Sequence, residues 1–117
     1  MPIKVITPDD WHMAPPSGGR GRHLSMMVSA ENPSLRLLES VPHCYTAPHS
    51  HSEPEVMIVL KGRMMFNGQW CEQGTIVHVP ANEDYWFSTG AEHCIVAIMR
   101  PKDRGKHQRA AEAVAAE

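Results

Sequence analysis

The segment 47–62 places the tightest limits on what this 117-residue chain can fold into. Within it, a single residue separates His49 from His51, and Pro48 and Pro54 flank the pair. Proline is disfavoured inside helices, and side chains two positions apart share a face in an extended strand. The two imidazoles are therefore predicted to point the same way from a β-strand.

Glu55 opens an apolar and partly β-branched run that ends shortly before Gly62, as expected of a buried strand. A buried carboxylate is costly unless something compensates its charge. If Glu55 converges with His49 and His51, the three side chains form a facial metal site with open coordination positions. This ligand set is typical of non-haem Fe(II) and tolerates Mn, Ni, Cu or Zn. The sequence therefore predicts one divalent transition metal ion per chain, with Fe as the preferred ion.

These residues also carry a family resemblance. The pattern His-x-His-x3-Glu-x6-Gly, formed by His49, His51, Glu55 and Gly62, resembles the first motif of the cupin superfamily. In that family the motif begins with a glycine at the position held here by His43. The resemblance covers residues 35 to 100 and implies an all-β, RmlC-like jelly roll, also called a double-stranded β-helix. Cupins include dioxygenases, isomerases, lyases, decarboxylases, sugar-binding regulators and storage proteins, so the fold alone does not select a function.

The second cupin motif, Gly-x5-Pro-x-Gly-x2-His, is half present. Gly74 and Pro80 match it, whereas Asn82 stands at the second glycine and Tyr85 at the histidine that is the family's fourth metal ligand. Tyr85 is predicted to enter the cavity and to bind a metal-bound water or substrate, as the candidate catalytic residue. The alternatives for a fourth ligand are His78, His43 and His93. The predicted substrate pocket consists of Met57, Phe87 and His78.

Strand-like runs recur about every ten residues with turns between them, which is typical of a β-sandwich or small barrel. Asn67-Gly68 between two such runs predicts a type I′ hairpin turn. We expect N-terminal strands and a loop over 1–34, the core barrel over 35–101, and a polar, Ala- and Glu-rich tail over 102–117 that is frayed or helical. Ile3–Ile6 alternates in polarity and predicts a short edge strand.

Composition narrows the class of protein. The formal net charge is −2, which offers no electrostatic case for binding nucleic acid or a membrane. The three cysteines have no framework spacing and are interpreted as reduced thiols. The first residues lack the apolar core of a signal peptide, so the expected location is the cytoplasm.

The favoured function is that of a small Fe(II)-type dioxygenase acting on a small organic substrate, because three protein ligands leave positions for substrate and O₂. One alternative is a non-enzymatic cupin that binds or senses a small molecule. Another is a metal-assisted lyase or isomerase in which Tyr85 is the general acid or base. We also expect a two-fold homodimer that uses Ile3–Ile6 or the Leu35–Val41 sheet.

Overall fold

A computed structural model describes residues 3–15 and 23–101, and the backbone of 107–109. Within these residues the chain forms one 3₁₀ turn, Pro8–Asp10, and ten β-strands. The strands are β1 (His23–Ser29), β2 (Ser34–Ser40), β3 (Tyr45–His51), β4 (Glu55–Lys61), β5 (Met64–Phe66), β6 (Gln69–Cys71), β7 (Ile76–Val79), β8 (Tyr85–Thr89), β9 (Cys94–Arg100) and β10 (His107–Arg109). In this part of the chain no helix has the length and apolarity needed to cross a lipid bilayer.

The strands form two five-stranded sheets. One has the order β1-β2-β9-β4-β7 and the other the order β10-β3-β8-β5-β6. Neighbouring strands pair antiparallel, so that segments distant in sequence lie side by side. The predicted all-β jelly roll is confirmed by this arrangement.

Alternating side chains from both sheets build the core. On β4, Glu55, Met57 and Val59 are buried, and on β8, Tyr85 and Phe87 are buried while the residues between them are half-buried. This period of two is the pattern of a strand with one face on the core. The inner faces of β4 and β8 thus bring the predicted site residues into the space between the sheets.

The predicted hairpin at Asn67-Gly68 joins β5 to β6, and both residues have positive φ angles, of 49° and 88°. Two consecutive positive φ values are what a type I′ turn requires. His43 and Asn82 also have positive φ angles, of 56° and 64°. At these two positions the cupin motifs have a glycine that this chain replaces, so the backbone conformation of the motifs is kept although these two glycines are absent.

The ends of the chain differ from the prediction. Ile3–Ile6 forms no strand, and Ile3 and Val5 are largely exposed. In the tail, His107–Arg109 forms strand β10, which pairs with β3 opposite His49 to His51. The helix considered for residues 110–116 lies outside the described residues.

Candidate functional site

A cavity of about 170 Å³ lies between the two sheets. Its apolar wall includes Met57, Met64, Phe87, Val96 and Ile98. Its polar side chains include His49, His51, Tyr85 and Arg100. Apolar walls with a few clustered polar groups are the usual make-up of a small-molecule site, and this volume suits a small ligand.

The two predicted histidines lie next to each other on β3. Both are buried, and their ring centroids are 5.0 Å apart in an edge-to-face arrangement. Nδ1 of His49 lies 2.9 Å from the carbonyl oxygen of Ala47, which can only accept a hydrogen bond. In the neutral ring, Nδ1 therefore carries the proton and Nε2 carries the lone pair. A backbone carbonyl that fixes the tautomer in this way is a common support for metal-binding histidines.

Glu55 lies at the start of β4, in the other sheet, and both of its carboxylate oxygens accept short hydrogen bonds. Oε1 accepts from the hydroxyl of Tyr85 at 2.6 Å. Oε2 accepts from Nε of Arg100 at 2.7 Å and from Nη2 of the same guanidinium at 2.6 Å. The Glu55 and Arg100 side chains are only 1% and 7% exposed. The charge of the buried carboxylate is thus compensated by an equally buried guanidinium.

Strand register explains why these two residues meet. In the β4–β9 ladder, Val56 is paired with Met99. Glu55, which precedes Val56, therefore lies across from Arg100, which follows Met99 in the antiparallel partner. Cross-strand neighbours on one face have Cβ atoms about 4.5–5.5 Å apart, close enough for opposite charges to interact.

Tyr85 connects the carboxylate to the histidines. It is paired with His49 in the β3–β8 ladder, and its ring centroid lies 4.4 Å from that of His49 and 6.2 Å from that of His51. Burial, followed by the charge of Glu55 and the hydrogen bond to it, raises the pKa of Tyr85 well above its usual range. Tyr85 is therefore a neutral phenol at physiological pH, and its proton points at Glu55.

The predicted three-ligand metal centre is not assembled in this arrangement. Among residues 3–15 and 23–101, no group of three His, Cys, Asp or Glu side chains is placed to hold a metal ion. The donor chemistry gives the reason. His49 and His51 lie side by side, whereas Glu55 is bound by Arg100 and Tyr85. In this arrangement Glu55 is therefore not placed together with the histidines as the predicted third ligand.

The predicted pocket residues separate into two groups. Met57 and Phe87 line the cavity, together with Tyr85. His78 does not, because it shares the outer face of β7 with Ile76, and its side chain lies in a surface groove with Pro54. Its placement in the pocket was wrong by one residue of strand register. His43 and His93, the other reserve ligands, are exposed, and His93 binds Glu39 at 2.8 Å on the surface.

Sequence reasoning missed Arg100 and His23, both of which line the cavity. Arg100 ends an apolar strand just as Glu55 begins one, and opposite charges at those positions are a signal for an antiparallel pair. His23 binds Ser40 at 2.8 Å through Nδ1 and Thr46 at 3.0 Å through Nε2. Burial, and then the proximity of His49, lowers the pKa of His23, so its ring is neutral near pH 7.

Comparison with known proteins bears on both fold and function. No protein-family model matches the chain. It is 40% identical over 58 residues to an acireductone dioxygenase from Alcanivorax borkumensis, a match that covers 43% of this chain and 32% of the relative. It is 31% identical over 89 residues to an acireductone dioxygenase from Synechococcus, covering 69% of this chain and 46% of the relative. The chain thus spans less than half the length of these relatives.

Solved structures agree on the architecture. The polyketide cyclase RemF from Streptomyces resistomycificus superposes with a TM-score of 0.77 at 20% identity, covering 92% of this chain and 85% of that one. A cupin-2 domain from Rhodospirillum rubrum superposes with a TM-score of 0.71 at 18% identity, covering 99% of this chain and 85% of that one. The two antiparallel sheets, the first motif and these superpositions lead to one conclusion: this protein has the cupin fold.

Proposed function

We propose that the protein binds a small organic molecule between its two sheets and transforms it there, and that oxygenation by O₂ is the first reaction to test. The observation that carries the proposal is the cavity itself, in which His49, His51, Tyr85 and Arg100 cluster beside an apolar wall. The similarity to acireductone dioxygenases supports the choice of reaction.

The residues of the cavity have separate roles in this proposal. The apolar wall, with Met57 and Phe87, takes the hydrocarbon part of the ligand and excludes water. Arg100 supplies N–H donors for an oxygen atom of the ligand, and the hydroxyl oxygen of Tyr85, whose proton is donated to Glu55, can accept a hydrogen bond from the ligand. The same bond links that hydroxyl to a buried carboxylate that can take up a proton. Tyr85 is therefore the proposed catalytic residue.

Oxygenation would require a cofactor, and the proposed one is a divalent transition ion, with Fe in first place and Mn, Ni, Cu or Zn as alternatives. Such an ion supplies O₂ activation when bound. His49 and His51 are the residues that would hold it. Glu55 does not fit, because its oxygens are bound by Tyr85 and Arg100.

That misfit favours a second candidate function, a reaction that needs no oxidant. Such a reaction would use general acid–base chemistry, as in a lyase or isomerase, with the Glu55 carboxylate as the proton acceptor and Tyr85 as the residue that positions it. Binding or sensing of a ligand without turnover is the remaining alternative, and it requires the same cavity.

The test uses untagged protein with acireductone, the compound in the names of the relatives, and measures O₂ uptake and substrate loss against a protein-free blank. We expect O₂ uptake in proportion to protein, with loss of the effect in Tyr85→Phe and no loss in His78→Ala, whose side chain lies on the outer face. If the substrate is consumed equally fast without O₂, the result would favour the lyase or isomerase function. If the substrate binds saturably but is not consumed, the result would favour a binding or sensing function.

The proposal extends to assembly and location. Cys44, Cys71 and Cys94 are buried thiols, which suits the reducing cytoplasm. A two-fold homodimer is proposed through the exposed apolar segment around Ile3 and Val5. The Leu35–Val41 strand is less suited, because β2 lies between β1 and β9 and has no open edge. A small molecule is the proposed partner, rather than nucleic acid or a membrane.

A further inference from the structure

We infer that Arg100 stands in for a metal ion at Glu55: its guanidinium is the resident cation of the buried carboxylate and keeps a third metal ligand from forming. This goes beyond the proposed function, because it concerns what Glu55 binds and holds whether the cavity turns a substrate over or only binds it. It also reverses the role that the first motif suggests for Glu55.

The first argument is that the carboxylate is already neutralised and largely occupied. Oε2 of Glu55 accepts a hydrogen bond from Nε of Arg100 at 2.7 Å and lies 2.6 Å from Nη2 of the same guanidinium, and Oε1 accepts a hydrogen bond from Tyr85 at 2.6 Å. These are charge-assisted contacts at the short end of the normal range. They use three of the roughly four lone-pair positions of the carboxylate, so a metal ion would have to bind at the remaining position of a group whose charge Arg100 already compensates.

The second argument is burial. The Arg100 side chain is 7% exposed, so a guanidinium displaced from Glu55 would keep its charge in the interior without a partner. Arginine does not lose its proton in proteins, so it cannot escape this cost by becoming neutral. Separating a buried ion pair is strongly unfavourable. A metal ion that took Glu55 as a ligand would therefore bind more weakly, because its binding free energy would include the free energy needed to separate the ion pair.

The third argument is that the pair is built into the sheet. Arg100 lies across from Glu55 in the β4–β9 ladder, and its backbone carbonyl also accepts a hydrogen bond from the hydroxyl of Ser34 at 3.3 Å on β2. Tyr85, at the motif position of a fourth histidine, completes the set as a neutral donor. The tyrosine that replaces the motif's histidine and the arginine at the end of β9 thus act on the same group.

The test is direct metal binding by untagged protein, with Co²⁺ as the probe, because its visible absorption reports the number and kind of ligands. The variants are Glu55→Gln, Arg100→Met, Arg100→Lys and the double variant E55Q/R100M. Methionine keeps much of the length of arginine without its charge. Lysine keeps the charge and is the matched control.

We expect wild type and the double variant E55Q/R100M to bind Co²⁺ equally weakly, because each offers the ion the histidine pair alone and leaves no buried charge unpaired. Glu55→Gln should bind no more tightly than wild type, since its unpaired guanidinium repels the ion. Arg100→Met should bind about a hundredfold more tightly, since the ion then replaces the missing cation. The double variant should lose that gain, and Arg100→Lys should bind like the wild type. In Arg100→Met the absorption should gain intensity as the third ligand enters.

A tenfold or larger loss of affinity in E55Q/R100M relative to wild type would overturn the inference, because Glu55 would then be a ligand beside Arg100. That comparison remains decisive if Arg100→Met does not fold, since the double variant leaves no buried charge unpaired. Equal affinities of folded Arg100→Met and wild type would also overturn it. None of these measurements involves substrate or O₂, so their outcome is independent of the oxygenation test.

Discussion

Removal of one hydroxyl, in Tyr85→Phe, tests the central hydrogen bond of the site. The change deletes the donor that lies 2.6 Å from Oε1 of Glu55 and leaves the ring in place. A hydrogen bond to a charged group contributes about 1.5–3 kcal/mol, and removing its donor leaves a buried acceptor unsatisfied. Because Arg100 still compensates the charge through Oε2, we place the loss in the free energy of unfolding near 2 kcal/mol.

That free energy can be converted into a melting temperature. Unfolding entropies near ~2.1 cal/mol/K per residue give about 0.25 kcal/mol/K for this chain. A loss of about 2 kcal/mol therefore lowers Tm by roughly 8 °C. Urea unfolding should report the same loss as a lower midpoint with an unchanged m value, because the surface exposed on unfolding is the same.

The matched control is Tyr45→Phe, which deletes the hydroxyl of the chain's other tyrosine. Tyr45 is 60% exposed, so its substitution should change the free energy of unfolding by less than ~0.5 kcal/mol. If Tyr85→Phe costs no more than Tyr45→Phe, the bond to Glu55 does not stabilise the fold and the reasoning about the site is refuted. A double-mutant cycle with Glu55→Gln would then locate the error.

Three further predictions concern pH, assembly and backbone. Burial, and then nearby Cys71, raises the pKa of Cys94 to about 11. The unfolded thiol therefore ionises first, the urea midpoint should fall as pH rises from about 9 to 11, and Cys94→Ala should flatten that fall. Light scattering at tens of micromolar should give a dimer that Ile3→Asp with Val5→Asp dissociates, and a wild-type monomer would contradict the proposed assembly. His43→Gly should raise the free energy of unfolding by roughly 0.5–1 kcal/mol in urea titrations, because glycine adopts the positive φ at lower cost, and a lower midpoint would contradict this.

Much of the fold was predictable because its signals are local. The burial alternation of β4 and β8 depends only on neighbours two residues away, and the hairpin depends on Asn67 and Gly68 alone. The parity of Tyr85 and Phe87 therefore placed both side chains in the cavity correctly. A local pattern also placed His49 and His51 on one strand beside each other.

The rest depended on which strands are neighbours, and that is not written in any local pattern. The pairing of Glu55 with Arg100 requires β4 and β9 to be adjacent in one register, although the two residues are 45 positions apart. The sequence pattern assigned Glu55 to a metal ion because no positively charged residue near it in the sequence could be identified as its partner. The same limit applies to Ile3–Ile6, which has strand-like alternation but pairs with no strand that the structure describes, and to β10, which pairs with β3 but has little pattern of its own.

Gly62, the last residue of the first motif, shows how the motif also serves the fold, and it supports a final prediction. Its φ is +74°, and a Cβ added there would overlap the carbonyl oxygen of His93 and lie 3.3 Å from the Cα of Cys94. Gly68 has a similar φ of +88° with nothing within 4 Å of an added Cβ. Both Gly62→Ala and Gly68→Ala therefore place an alanine at a positive φ angle, but only Gly62→Ala also introduces a steric clash of the added Cβ.

The strain common to both variants should cost about 1–2 kcal/mol. The clash at Gly62 should lower the free energy of unfolding by a further ~1–3 kcal/mol, because the Cβ meets backbone atoms, which cannot move away as a flexible side chain could. Urea unfolding of the two variants measures the difference directly, and equal losses would mean that the two strands do not approach as closely as described. Since Gly62 allows β4 to approach the start of β9, we also expect Gly62→Ala to disturb the register that places Glu55 across from Arg100. The glycine of the motif would thus help to hold the Glu55–Arg100 ion pair in place.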